Sequence, residues 1–400
     1  MARQFAAGVD IGTHHVKAVI AEEVLQDGRV IPKIIGTGIA ESRGLQHGYI
    51  VNQSEVAKAI RTAVSQAEKA AALEVKRAFV SVGGVGLAGI TTVGTVAISR
   101  ADMELTELDL DKAGEAAEAA IPQESAQNRR IINTIPVEIK VDGRTMWGRV
   151  EGLKASKIEV KTLFITCLEH HLEDLIVAVE EAGIEVVDVV AAPIAASFVT
   201  LTKKQKKAGC ILANIGAETL SIVVFENGTP VSLEVFQIGS QDLTHDIALG
   251  LKTSLEEAES IKIGALTRTN VSKKKLDDII SARLSDMFEL IEGHLKKIGR
   301  NALLPAGIIF TGGGSSIPGL KEHAEQALKL PATIGAITFG GTDKLRGKDA
   351  TWAVAYGLAI LGFNAENERG NLGLVKTGKL AERGRKGLQA IASWFSRFLP

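Results

Sequence analysis

An aspartate and a lysine, Asp10 and Lys17, flank a glycine turn in V-D-I-G-T-H-H-V-K-A-V-I (9–20). The carboxylate ends one strand, and an ammonium on the returning strand can reach phosphate oxygens. Gly12 permits the tight turn, and Thr13 and His14 follow it. The form recurs about two hundred residues later in A-N-I-G-A-E-T-L-S-I-V-V-F (213–225). There Asn214, Gly216, Ala217, Glu218 and Thr219 occupy the equivalent positions. Small residues in such turns let the backbone approach a ligand and aim its N–H groups at a phosphate. A third loop, G-I-I-F-T-G-G-G-S-S-I-P-G-L (307–320), carries Gly312, Gly313, Gly314 and Ser315 after an apolar strand. Its glycines allow close approach to an adenosine α-phosphate and ribose, and a helix starting behind them favours negative charge. Each loop alone is a weak signal. All three in order, each flanked by apolar strands, point to a nucleotide held between two similar halves.

The surrounding pattern supplies the elements that must position these loops. Residues 5–40 alternate short β-rich runs with turns, which predicts a three-stranded meander. Residues 54–73 predict a helix with Ser54 as N-cap and Val56, Ala59, Ile60, Ala63, Val64 and Ala67 on one face. Residues 99–162 differ: an acidic, Ala-rich helix stops at Pro122 and two strand-like runs follow, as for an inserted α+β module. Residues 170–183 predict a helix closed by Gly183. The second half repeats the three strands, with Asn227-Gly228 as a hairpin turn. Helices are then expected at about 241–249, 254–264, 273–298 and 351–363. K-K-Q-K-K (203–207) reads as a solvated loop. The 400 residues allow two or three domains, and a formal net charge of −1 gives no global field for nucleic acid. Cys167 and Cys210 lie in apolar stretches, as buried reduced thiols would. The chain runs from M-A-R-Q-F-A-A straight into its first strand, which reads as a cytoplasmic protein without a signal peptide.

The three loops resemble the phosphate-1, phosphate-2 and adenosine motifs of the actin superfamily, and A-E-S-I-K (258–262) is similar to its A-E-x-I-K helix. Within the superfamily, E-S-R-G-L-Q-H-G-Y-I-V-N (41–52) and I-I-N-T-I-P-V-E-I-K-V-D-G (131–143) with E-G-L-K-A-S-K-I-E-V (151–160) resemble segments of the FtsA family of bacterial division proteins. The resemblance implies an α/β, actin-like, ribonuclease H-like duplicated ATPase fold with an inserted α+β domain 1C. It implies subdomain 1A over 1–82, 163–192 and 342–363, domain 1C over 83–162, subdomain 2A over 193–241 and 304–341, and subdomain 2B over 242–303. It further implies ATP with Mg2+, Asp10 contacting the metal through water, and Glu259 and Lys262 flanking adenine and ribose. Two departures stand out. Asn214 replaces an Asp frequent in the second motif, which brings no charge to a metal. Ala192 precedes Pro193 where the heat-shock ATPases carry Glu, so ATP binding with slow or negligible hydrolysis is expected.

Residues 364–385 turn polar and read as a flexible linker; 386–400, K-G-L-Q-A-I-A-S-W-F-S-R-F-L-P, then read as an amphipathic helix. Leu388, Ile391, Trp394, Phe395, Phe398 and Leu399 share one face, with Lys386 and Arg397 on the other. Three of the chain's seventeen aromatics fall in this segment, the composition of a helix lying on anionic lipid at the inner face of the membrane. The family resemblance implies self-assembly into filaments and localisation at the division septum. It also implies binding of the FtsZ C-terminal peptide on 2B and recruitment of later division proteins through 1C. Arg268, Lys273, Lys274, Lys275, Arg283, Lys296, Lys297 and Arg300 give 2B the basic character that suits an acidic peptide. Two rivals belong to the same superfamily, and the first of them shares the first loop. PilM-like scaffolds of type IV pilus assembly lack the S-R-G-x-x-x-G segment and the tail. Sugar or acetate kinases need a catalytic Asp in the cleft, for which no residue here is a good candidate.

Overall fold

The computed structural model describes residues 5–26, 29–265, 272–338 and 350–371. Strands β1 (Phe5–Ile11), β2 (His15–Gln26) and β3 (Arg29–Glu41) form the expected meander. A short antiparallel pair, β4 (Leu45–Gln46) and β5 (Tyr49–Ile50), leads into helix α1 (Gln53–Ala71). The N-cap of α1 is Asn52 rather than Ser54: Asn52 has extended backbone angles and its Oδ1 accepts from the Glu55 N–H at 3.3 Å. The Ser54 hydroxyl donates to the same oxygen, so it supports the cap from inside the helix. The apolar face of α1 is buried, and each large aliphatic there contributes about 1.5–3 kcal/mol. It sits on bare backbone: a Cβ on Gly36 or Gly38 of β3 would overlap the Ala67 or Ala63 carbonyl. Gln66 of α1 also accepts the Ile39 N–H of β3 at 3.0 Å.

Strand β6 (Arg77–Val82) runs parallel to β1. The chain then leaves this sheet for β7 (Leu87–Ala97), α2 (Glu107–Ala119), α3 (Gln123–Ala126), β8 (Arg129–Val141), β9 (Arg144–Met146) and β10 (Lys157–Leu168). These strands form their own sheet, in order β7–β10–β8–β9. Helix α2 lies on it, with Gly94 of β7 directly beneath the Ala113 carbonyl. Strand β10 is continuous through residue 162, where the sequence suggested a boundary. Its first half, Ile158 and Val160, packs in the module's own core, while Leu163, Ile165 and Cys167 join the core of the first half. An apolar run shared by two cores shows no break in sequence.

Helix α4 (Glu169–Glu181) ends before Gly183, which has φ +83° as the C′ reading requires. Strand β11 (Glu185–Ala191) completes the first sheet, β11–β6–β1–β2–β3. Helix α5 (Ala192–Thr200) follows, and then α6 (Lys203–Ala208), where a solvated loop was expected. Thr202 and Gln205 form a capping box that sustains this short helix. The Lys206 ammonium turns inward, 5.0 Å from the centroids of both Phe198 and Phe225 and 3.3 Å from Ser197 Oγ.

The second half contains β12 (Cys210–Ile215), β13 (Leu220–Glu226), β14 (Thr229–Phe236), α7 (Ser240–Leu251), α8 (Leu255–Lys262) and α9 (Lys273–Lys297). After these come β15 (Ile308–Thr311), α10 (Leu320–Leu328), β16 (Ala332–Ile334) and α11 (Ala353–Asn371). Asn227 and Gly228 both have positive φ and close the β13–β14 hairpin. The sheet order β14–β13–β12–β15–β16 reproduces β3–β2–β1–β6–β11: a meander, then two parallel strands. Helix α11 returns to the first half, where Gly8 of β1 meets the Ala355 carbonyl and Gly357 fits against Ala195 of α5. It continues to Asn371, eight residues into the stretch read as linker, because A-E-N-E-R extends the helix with good helix formers. The rest of that linker and the 386–400 helix lie outside the described residues.

Candidate functional site

The two hairpins have the same register. In the first, Asp10 pairs with Lys17 and the Gly12 N–H donates to the His15 carbonyl at 3.2 Å. In the second, Asn214 pairs with Ser221 and the Gly216 N–H donates to the Thr219 carbonyl at 2.8 Å. Around the first, burial pushes the Asp10 carboxyl above the usual carboxylate range, opposed by Lys17 and by the Ser81 hydroxyl, which donates to Asp10 at 2.8 Å. Ser81, on β6, also accepts the Ile11 N–H at 3.0 Å, so one buried hydroxyl fixes both the carboxylate and the turn. Lys17 is 8% exposed; its ammonium donates to the Thr351 carbonyl at 2.6 Å and lies 5.7 Å from the Trp352 ring centroid. Thr13 is partly exposed and His14 exposed. Burial lowers the pKa of His15, with further lowering from His14 and Lys17.

The glycine loop is seated on the second hairpin. Gly312 has φ +85°, and a Cβ there would overlap Asn214 Oδ1 and the Ile215 carbonyl. Gly314 presses on the Ile215 side chain, whereas the space above Gly313 is open. The Ser315 hydroxyl folds back to the Gly312 carbonyl at 2.7 Å. The glycines enter a single 3₁₀ turn, Gly313–Ser316, and α10 begins only at Leu320. The expected α-helix N-terminus directly behind the glycines is therefore absent, because Pro318 and Gly319 interrupt the chain first. The first amides of α7 secure the second hairpin instead: Ser240 N–H donates to Gly216 at 2.9 Å and Gln241 N–H to Ala217 at 2.8 Å.

Helix α8 brings Glu259 and Lys262 together as an ion pair at 2.6 Å. The Thr244 hydroxyl of α7 lies 2.7 Å from Glu259 and 2.9 Å from Lys262, and Lys262 also donates to the Ser240 carbonyl at 3.2 Å. Burial raises the Glu259 pKa, but hydrogen bonds from Lys262 and Thr244 and the charge of Lys262 outweigh it and hold it low.

Two further links between the halves were not legible in the sequence. The Ala350 carbonyl accepts the Gly312 N–H at 3.2 Å and the Thr311 hydroxyl at 3.0 Å, while the next carbonyl, Thr351, accepts Lys17. Consecutive peptides thus tie the glycine loop to the first hairpin. On the other side, the His47 N–H donates to Glu218 Oε2 at 2.5 Å. The acceptors at Ala350 and Thr351 and the donor at His47 are main-chain groups that no residue type announces; Ser81 was also missed, and its signal was a hydroxyl within the apolar run A-F-V-S-V.

The basic residues expected on 242–303 are partly committed. Arg283 makes two bonds to Asp246, at 2.6 and 3.0 Å, Arg300 bonds Glu226, and Lys296 pairs with Glu292. Lys273, Lys274 and Lys275 open α9, and Arg268 lies outside the described residues. Cys167 and Cys210 are buried, and burial raises their thiols to about 11 and about 12, which makes them inert at neutral pH. Lys386, Leu388, Ile391, Trp394, Phe395, Arg397, Phe398 and Leu399 all lie outside the described residues. Among the described residues, no helix is long and apolar enough to cross a membrane.

Known proteins share this arrangement. Residues 211–357, from β12 into α11, match the family model described as cell division protein FtsA. The cell division protein FtsA of Neisseria meningitidis serogroup B is 30% identical over 412 residues, covering 97% of each chain. Among solved structures, a chain of the PilM–PilN type IV pilus biogenesis complex superposes with a TM-score of 0.65 at 20% identity, covering 89% of this chain and 98% of that one. MreB5 of Spiroplasma citri bound to AMPPNP gives 0.53 at 13% identity, covering 92% and 98%. The structural likenesses establish the actin-like fold, and the sequence relatives establish the lineage: the chain belongs to the FtsA family of cell division proteins.

Proposed function

We propose that the cleft binds ATP with Mg2+, that the closed form assembles into filaments, and that residues 386–400 hold those filaments on the cytoplasmic face of the membrane. The division ring of FtsZ is then tethered through its C-terminal peptide on residues 242–303, and the β7–β10 module receives later division proteins. The observation that carries the reading is the pair of register-matched hairpins, the first tied through Thr351 and Ala350 to the glycine loop that is seated on the second, with Gly312 bare where the backbone meets Asn214. The residues fit the nucleotide: the Gly12 and Gly216 N–H groups close their own turns, the amides that follow them at Thr13, His14, Ala217 and Glu218 serve its phosphates, and Gly312–Ser315 leave room for the α-phosphate and ribose. Glu259 and Lys262 border the adenosine. Asp10 holds a magnesium-bound water, since Mg2+ is content with one carboxylate besides phosphates and waters. When bound, the metal neutralises phosphate charge; Lys17 and the turn amides orient the chain of phosphates. With Ala192 before Pro193, no carboxylate there positions a water, and hydrolysis is slow. The MreB5 structure bound to AMPPNP supports the nucleotide assignment by analogy of fold.

The test is co-sedimentation of the full chain and of a version ending at Arg383 with anionic liposomes, with and without ATP. The reading expects pelleting of the full chain alone, strengthened by ATP because many weak helices on one filament act together. Equal pelleting of both versions would sink the tether.

A further inference from the structure

We propose that the β4–β5 hairpin, residues 43–50, is a mechanical link through which the state of Glu218 in the second hairpin reaches both chain crossings of the β7–β10 module. Three sides of this hairpin are engaged. Toward the second half, the His47 N–H donates to Glu218, and the His47 Nδ1, buried and lacking a hydrogen-bond partner, lies 3.9 Å from the same carboxylate oxygen. Toward the chain that leaves β6 for the module, the Val85 N–H donates to the His47 carbonyl at 3.2 Å. There Gly48, at φ +90°, meets Gly84, at φ +85°, so closely that a Cβ on either would collide with the other's Cα. Toward the chain that returns from the module, the Tyr49 ring stacks on His170 and meets His171 edge-on, with centroids 6.3 and 5.2 Å apart. The two crossings are themselves joined beneath Tyr49, where Gly86 accepts the Leu168 N–H at 3.1 Å and an Arg129 N–H at 2.6 Å.

A displacement of Glu218 therefore pulls on a hairpin with little slack. Backbone stacked on backbone at Gly48 and Gly84 has no side chain to absorb the movement, because packed interiors transmit strain rather than deform softly. The functional consequence rests on the proposed nucleotide reading: phosphates seated at Gly216–Thr219 reposition Glu218, and the module, offered to other proteins, changes its orientation or order in response. The module also touches the second half where Gly89 of β7 abuts Leu233 of β14, so a route that bypasses the hairpin exists and must be separated from it.

Hydrogen–deuterium exchange on the full chain without nucleotide separates them. Glu218→Ala leaves the Gly89–Leu233 contact untouched. The link requires that it accelerate exchange at Val85 and across 168–171 by about tenfold, as loss of a charged hydrogen bond at the anchor would give. In the reverse direction, Gly48→Ala accelerates exchange at 216–219. Acceleration confined to 44–50 in Glu218→Ala overturns the link, and so does protection of Val85 by a non-hydrolysable ATP analogue that persists undiminished in that variant. If the unaltered chain binds no fluorescent ATP, the nucleotide reading fails, and the nucleotide-free exchange of Glu218→Ala still decides the link.

Discussion

The first and second hairpins share a backbone and divide the chemistry. At matched positions the first carries Asp10 and Lys17, and the second Asn214 and Ser221. The first hairpin thus sets a carboxylate, steadied by Ser81, opposite an ammonium, while the second has no charge at the matched strand positions and α7 amides hold its turn carbonyls. Its own buried ammonium, Lys206, is kept at the far end of β13 against Phe225, away from the cleft. Duplication supplied two similar cradles, and the side chains assign charge handling to one of them and shape to the other. The second cradle also carries the seat for Gly312, which is a steric task and not an electrostatic one.

That division can be broken or sharpened experimentally. The largest effect is expected from Gly312→Val, which places a branched side chain into Asn214 at φ +85°. Fluorescent-ATP titration should show affinity falling by about 100-fold or more, with strain of about 1–3 kcal/mol lowering the melting temperature. Retained affinity would mean that the second half does not shape the site. Next comes a transfer of charge. Asp10→Asn should weaken Mg-ATP binding by about tenfold, whereas Asn214→Asp should steepen the dependence on Mg2+ by a similar factor. Equal losses from Asp10→Asn and Asn214→Ala, read by calorimetry at several Mg2+ concentrations, would erase the asymmetry.

A smaller effect concerns Lys206. Burial lowers its pKa from 10.5 to about 8, so between these values the unfolded chain binds more protons than the folded one. Stability should therefore rise as the pH climbs from about 8 toward 10.5. Lys206→Met should flatten that rise in denaturant midpoints measured across the range, and an unchanged slope would place the ammonium in water. The smallest difference lies between the turn glycines. A Cβ on Gly12 would sit 2.9 Å from the His15 carbonyl and one on Gly216 3.1 Å from that of Thr219. Each alanine should cost about 0.5–1 kcal/mol in thermal melts, Gly12→Ala slightly more, because the adjustment needed is a few tenths of an ångström.

Much of this was legible because the signals were local. Two glycine turns flanked by β-branched strands fix the hairpins, and Asn227-Gly228 and Gly183 mark a turn and a helix end through their own backbone preferences. The site's completion was not local. Ala350 and Thr351 act through carbonyls, and any residue carries one; His47 acts through its N–H. Lys206 looked solvated because four of the five residues 203–207 are lysine, itself included, yet its place on a short helix turns it between two rings that lie 8 residues before and 19 after it. The α10 start was misplaced for a different reason: G-G-G-S-S-I-P-G reads as loop running into helix, and only the coordinates reveal a 3₁₀ turn between them.

The bond from Ile39 to Gln66 has a consequence for how copies of this chain meet. Strand β3 is the outermost of its sheet, and an unpaired strand border invites another border to add to it. Here Pro32 has no N–H to offer, the Ile39 N–H is already taken by a side chain, and α1 grips the strand at Gly36 and Gly38. Indiscriminate sheet-to-sheet fusion is discouraged at this border. The filament proposed above needs one permitted way of joining, and blocking the wrong way is part of specifying the right one.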